Sequence, residues 1–192
     1  MSADDMGKPR CPWSLADADM RRYHDVEWGV PVREPRDLFE RLTLEGMQAG
    51  LSWRTILVKR PHMARVFHGF DPERLARAGD EDLARWLDDP GVIRHRGKLT
   101  AMVGNARLFL DQPDPMAFLW SFVDGAPVQN RWEAPAEVPS KTPTSVAMSR
   151  TLRKQGFRFV GPTICYAFMQ SAGFVNDHLV SCFRHAEVAA AA

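Results

Sequence analysis

His178 and Cys182 stand four residues apart. On a helix that spacing projects both side chains from one face, and an imidazole nitrogen with a thiolate sulfur can supply two ligands to zinc. Cys11 and His24 near the N-terminus offer a second pair, so one Cys2His2 set could stitch the two chain ends together. One half of that set is widely spaced, unlike a zinc finger, and the alternative is two buried thiols with two ordinary histidines. A Cys-His nucleophilic pair is disfavoured, because no third group is evident to orient the imidazole and Cys165 falls in an apolar helical run. Three cysteines, an odd and sparse set, do not describe a disulfide framework. His62, His68, His95 and His185 have no partners at informative spacing.

A second constellation runs from Gly156 to Cys165 and places a glycine-bearing turn between two amphipathic helical segments. Such a hairpin aims backbone N–H groups and the positive end of its second helix at one spot, which suits a phosphate. The formal net charge of +1 argues against a polyanionic partner only until it is divided along the chain. Residues up to Pro90 carry 14 basic and 17 acidic side chains, net −3, and the remainder 11 and 7, net +4. No acid lies between Asp89 and Asp111, a stretch holding Arg94, Arg96, Lys98 and Arg107. None lies between Glu137 and Asp177 either, where Lys141, Arg150, Arg153, Lys154 and Arg158 fall. Two acid-free basic stretches can form one phosphate-facing surface, and the alternative is solvated helix faces clustered by chance.

Glu45 sits late in an apolar helical pattern, just before Gln48-Ala49-Gly50-Leu51-Ser52-Trp53. A carboxylate in that position is either solvated on the outer face or held in a pocket where it accepts hydrogen bonds. Trp13, Tyr23, Trp28 and Trp53 are near enough in sequence to line such a pocket. An aromatic slot with one acidic acceptor would suit a flat, electron-poor ring.

The elements that must position these residues read as helices almost throughout, so the fold class is all-α, a helical bundle in one compact unit spanning residues 1–192. Helices are expected from Pro35 to Gly50, from Ser52 to Lys59, from Pro61 onward, after Asp71-Pro72, from Asp80 to Leu87, and from about Val92 to Leu110. Gly125 to Pro143 contains four prolines and reads as an irregular loop. Helices resume at Thr144–Gln155, at Gly161 or Pro162 to Ala172, and at Asp177–His185. The helix-hairpin-helix element thus occupies about 144–173. Only Trp28 to Val32 alternates like a strand, and residues 1–8 and 187–192 are expected to fray. The acidic N-terminus lacks a signal-like apolar region and no run approaches the roughly 18–20 apolar residues that span a bilayer, so a cytoplasmic protein without membrane association is expected.

Taken in order, Cys11-Pro12-Trp13, Tyr23 to Pro31, Leu44 to Trp53, Ile93 to Lys98, Gly156 to Gly161 and Val175 to His178 resemble the 3-methyladenine DNA glycosylase I family of the helix-hairpin-helix superfamily. The resemblance covers about residues 11–183. It implies a base-excision repair hydrolase that flips 3-methyladenine out of alkylated double-stranded DNA and cleaves its N-glycosidic bond. It implies one structural zinc on Cys11, His24, His178 and Cys182, and a base pocket of Trp13, Tyr23, Glu45 and Trp53, with Glu45 as the catalytic candidate. A DNA wedge at Gln48, Gly50 and Leu51 and a phosphate-gripping hairpin at Phe159, Val160, Gly161 and Thr163 are implied likewise. Asn176 takes the place where many superfamily members carry an aspartate, with Asp177 one step off, and Thr163 the place of the Schiff-base lysine of bifunctional members. A monofunctional enzyme without strand cleavage follows, working as a monomer without an obligate protein partner. Two departures are Met20, where relatives often carry a second tyrosine, and Pro12, where a glycine is common.

Two other classes fit parts of the pattern. A catalytically idle helix-hairpin-helix module would bind DNA through the basic hairpin surface but would have no use for Glu45 with Trp53 and Tyr23. A zinc-stapled helical interaction protein would leave both basic stretches unexplained.

Overall fold

The computed structural model describes residues 7–190, so most of the N-terminal stretch expected to fray lies outside the described residues. Among the described residues ten α-helices carry the fold: α1 (Ala18–Val26), α2 (Pro35–Gln48), α3 (Trp53–Val66), α4 (Pro72–Ala76), α5 (Asp80–Asp88), α6 (Arg96–Leu110), α7 (Pro115–Trp120), α8 (Pro143–Lys154), α9 (Pro162–Ser171) and α10 (Phe183–Ala190). The only strands among the described residues are β1 (Val128–Gln129) and β2 (Val175–Asn176), paired in parallel. No helix among them is long and apolar enough to cross a membrane.

Helix α2 is the axle. Leu38, Phe39, Leu42, Leu44 and Met47 are all buried along it, and α9 contributes Cys165, Tyr166, Phe168 and Met169 to the same core. A smaller core of Cys11, Leu179 and Cys182, with Trp13, Trp28, Trp132, Val138 and Phe183 around it, ties the two chain ends together.

Local rules explain most boundaries. Asp17, Ser52, Asp71 and Asp114 cap their helices by accepting backbone N–H groups at the first turn. Helix α6 begins at Arg96 rather than Val92, because the ring of His95 accepts from the Lys98 N–H and serves as the N-cap. Pro61 does not divide α3. It removes one helical hydrogen bond, but Ile56 and Met63 are fully buried on either side, and that packing carries the helix through.

Three further expectations are corrected. Trp28 to Val32 forms no strand: Gly29 turns the chain with φ +80°, and the Gly29 and Val32 N–H groups donate to the Gln170 and Ala172 carbonyls at the end of α9. The last helix is Phe183–Ala190, not Asp177–His185. Residues 175–176 are held extended by β1, and the Asn176 side-chain amide donates to Gln129 Oε1 and the His185 carbonyl, so the helix starts only after the turn ending at Cys182. Finally, residues 187–190 are helical with Val188 buried, so only residues 191 and 192 of the tail expected to fray lie outside the described residues.

Candidate functional site

Cys11, His24, His178 and Cys182 converge although His178 and Cys182 share no helix. Their ligand atoms all lie within 4.8 Å of one another and all four residues are buried. Cys182 Sγ is 3.4 Å from His24 Nε2 and 3.7 Å from His178 Nδ1, and Cys11 Sγ is 3.8 Å from the same His178 nitrogen. Ion–ligand distances of about 2.0–2.3 Å put the corners of a tetrahedral site roughly 3.3–3.8 Å apart, so the donor set fits a metal ion. The outer nitrogens are anchored as ligating imidazoles require. His24 Nδ1 lies 2.7 Å from Asp25 Oδ1, itself gripped by Arg10, and His178 Nε2 lies 3.0 Å from the Trp28 carbonyl. Burial lowers the His178 pKa and favours the neutral ring that ligates metals. A Cβ at Gly29 would stand 3.1 Å from the His178 ring, so glycine is needed there for space as well as for φ.

Beside this cluster, between the two cores, opens a cavity of about 500 Å³. Trp13, Tyr23, Glu45 and Trp53, the four residues expected to hold a base, all line it. The Tyr23 ring is 5.1 Å from Trp53 and 6.3 Å from Trp13, with tilted planes that leave aromatic faces on several sides. Glu45 is only 4% exposed. Burial pushes its carboxyl up to about 7, with the Ser171 hydroxyl and the Arg41 guanidinium pulling the other way. Burial and the Glu45 charge raise the Tyr23 phenol. Among the described residues, neither the Tyr23 hydroxyl nor Trp53 Nε1 has a hydrogen-bond partner, although both are buried and both residues line the cavity. Buried donors left unpaired in the wall of a cavity are available to a ligand.

Gln48, expected on the wedge, also lines the cavity, as does Met20, whose thioether stands where a second aromatic wall was expected to be missing. Gly50 and Leu51 lie in the exposed turn between α2 and α3; Gly50 takes φ +76° and Leu51 is 40% exposed. The hairpin between α8 and α9 is as tight as expected. Phe159 adopts φ +55°, a strained conformation for an aromatic residue. Val160 turns its side chain inward and its carbonyl accepts from the Ser149 hydroxyl, so only its backbone N–H is left for a ligand. Thr163 is exposed on the first turn of α9, where the leading N–H groups lack intrahelical partners.

Several residues of the cavity are not among those the sequence assigns to it. Asp177, not Asn176, lines the cavity, and its carboxylate accepts from Asn130, Trp132, Tyr166 and Gln170 at 2.6–2.8 Å. Pro135, Val138 and Pro139 of the irregular loop close one wall. The basic surface also changes membership. Lys98 is buried and leaves it, whereas Arg94, Arg96, Arg107, Lys141, Arg150, Arg153, Lys154 and Arg158 are exposed, Arg107 being tethered by donating to the Ala76 and Ala78 carbonyls.

An acid-bearing aromatic cavity beside a buried Cys2His2 cluster, carried on a helical body, has the shape and chemistry to hold a flat ring. Comparison with protein families makes this specific: the model of the methyladenine glycosylases matches residues 13–185, and the chain belongs to that family. It is 48% identical over 177 residues to DNA-3-methyladenine glycosylase 1 of Escherichia coli, covering 90% of this chain and 95% of that one. A crystal structure of 3-methyladenine DNA glycosylase I superposes with a TM-score of 0.88 at 49% identity, over 91% of this chain and 98% of the other. A variant of 3-methyladenine DNA glycosylase I solved in complex with 3-methyladenine superposes with a TM-score of 0.87 at 33% identity, over 91% and 96% of the two chains.

Proposed function

We propose that this protein is a base-excision repair glycosylase that extrudes 3-methyladenine from alkylated DNA and hydrolyses its N-glycosidic bond without cutting the strand. The observation that carries the reading is the Glu45 carboxylate, buried in an aromatic cavity whose Tyr23 and Trp53 donors have no protein partner. The relative solved with 3-methyladenine supports the choice of base.

Adenine methylated at N3 in DNA is cationic, so its glycosidic bond is already weakened. The C1′–N9 bond breaks with its electron pair leaving on the base, which becomes neutral; water oxygen bonds to C1′ and gives up a proton. No leaving-group protonation is required, and recognition supplies much of the selectivity. Extrusion costs a few kcal/mol, and aromatic stacking worth roughly 1–3 kcal/mol per base offsets it. The Glu45 carboxylate attracts the cationic ring more strongly in a water-excluded cavity than it would in solvent.

On this reading Gln48, Gly50 and Leu51 enter the duplex as a wedge, and backbone groups of Phe159, Val160, Gly161 and Thr163 grip a phosphate without reading sequence. Cys11, His24, His178 and Cys182 hold one structural zinc, whose contribution is folding free energy and whose site buttresses the cavity. The enzyme acts as a monomer. Titration with free 3-methyladenine tests the pocket: tryptophan fluorescence should change saturably at one equivalent. No response in the native protein, or an unchanged affinity in Glu45→Gln, would contradict the assignment.

A further inference from the structure

Lys98 belongs to an acid-free basic stretch, yet it does not face solvent. It is 6% exposed, burial lowers its pKa, and its ammonium donates to the carbonyls of Met47 at 2.9 Å and Ala49 at 2.5 Å. Those carbonyls bracket the C-terminal end of α2, where the helix dipole favours a cation. Burying an ammonium is costly, and a helix end that needed only a cap could leave its carbonyls to water or to a glycine motif. The turn satisfies its other two carbonyls itself: Gly46 accepts from the Ala49 N–H and Gln48 from the Leu51 N–H. Lys98 therefore takes the two carbonyls that the turn cannot reach.

Helix α6 also holds the hairpin. Asn105 donates to the Arg158 carbonyl and accepts from the Arg158 N–H, both at 2.9 Å. Phe159 lies against Gly46, where an added Cβ would meet it at 3.4 Å. One helix thus fixes both the turn after α2 and the hairpin before α9.

We propose that Lys98 is a positioning residue that clamps the Gln48–Leu51 turn in the shape that enters duplex DNA, with α6 setting the distance between this wedge and the phosphate-gripping hairpin. The inference rests on the glycosylase reading above. Wedge insertion matters where a base must be drawn from a paired stack, and much less where the lesion is already unpaired.

The test compares Lys98→Met with the native protein on methylated duplex DNA, on methylated single strands and with free 3-methyladenine. Excision from duplex should fall about tenfold or more, while single-strand excision and free-base affinity stay within roughly threefold. In a Leu51→Ala background the Lys98 substitution should add little, because both changes act through one turn. Should Lys98→Met fail to fold, Lys98→Gln, which can still reach one carbonyl, should show the same duplex-selective loss at smaller size. A duplex-to-single-strand ratio equal to the native one would overturn the clamp. A native protein that releases no base from either substrate would instead overturn the glycosylase reading beneath it.

Discussion

The imidazole of His24 meets the indole of Trp13 edge-on, with ring centroids 5.3 Å apart. A wall of the aromatic cavity therefore rests directly on a member of the Cys2His2 cluster. Trp28 makes a similar edge contact with His178 at 4.7 Å and packs on Trp13 at 5.1 Å. Metal content and base binding should fail together.

Elemental analysis should find about one zinc per chain. Cys182→Ala or His178→Ala should destabilise the fold by ~3 kcal/mol or more, a loss on the order of 10 °C in melting temperature for a chain of this size. Chelation should also weaken free 3-methyladenine binding. Retained base affinity in zinc-free protein would separate the two sites.

Glu45 gives the pH dependence a definite sign. Its folded pKa is raised, so between about 4.5 and about 7 the folded state holds a proton that the unfolded state has lost. Its contribution to stability falls as pH rises across that window, by at most ~1.4 kcal/mol per unit, and levels off above it. Glu45→Gln should remove this fall and melt higher than the native protein at pH 8. Recognition runs the other way. Ionised Glu45 attracts the cationic base, so kcat/KM on methylated DNA should rise through about pH 7, and Glu45→Gln should flatten that rise.

The exposed basic residues predict salt-sensitive DNA binding despite the near-neutral total. Arg153→Ala and Arg158→Ala should each weaken affinity similarly across sequences and shallow the log–log salt slope by ~1 if they meet a phosphate. Salt-independent affinity would show the charge partition to be incidental.

The family resemblance implies Thr163 at the hairpin position where bifunctional relatives carry a Schiff-base lysine, so borohydride reduction during turnover should trap no covalent DNA adduct. A trapped adduct, or strand cleavage at the vacated site, would contradict a monofunctional mechanism.

Most of this site was legible in the order of residues because its donors are chemically distinctive. Two cysteines and two histidines can be paired on paper, and Glu45 within an apolar helix stands out. The geometry behind them was less legible. The four-residue spacing of His178 and Cys182 suggested a helix, but β1 and the Asn176 amide hold the chain extended until the turn at Cys182, and the pair converges by tertiary contact. Lys98 read as a surface charge because a lysine buried against main-chain carbonyls leaves no pattern in sequence. Asp177 has no distinguishing mark beside Asn176 in the sequence, since its place is set by hydrogen bonds from Asn130 and Trp132 of the proline-containing loop and from Tyr166 and Gln170 of α9.

The most direct measurement is the release of base from methylated duplex DNA, followed by chromatography, for the native protein and Glu45→Gln side by side. Free 3-methyladenine should accumulate with the native protein and be strongly reduced with the folded variant. DNA binding without any release of 3-methyladenine by the native protein would contradict the glycosylase assignment and leave a catalytically idle DNA-binding module.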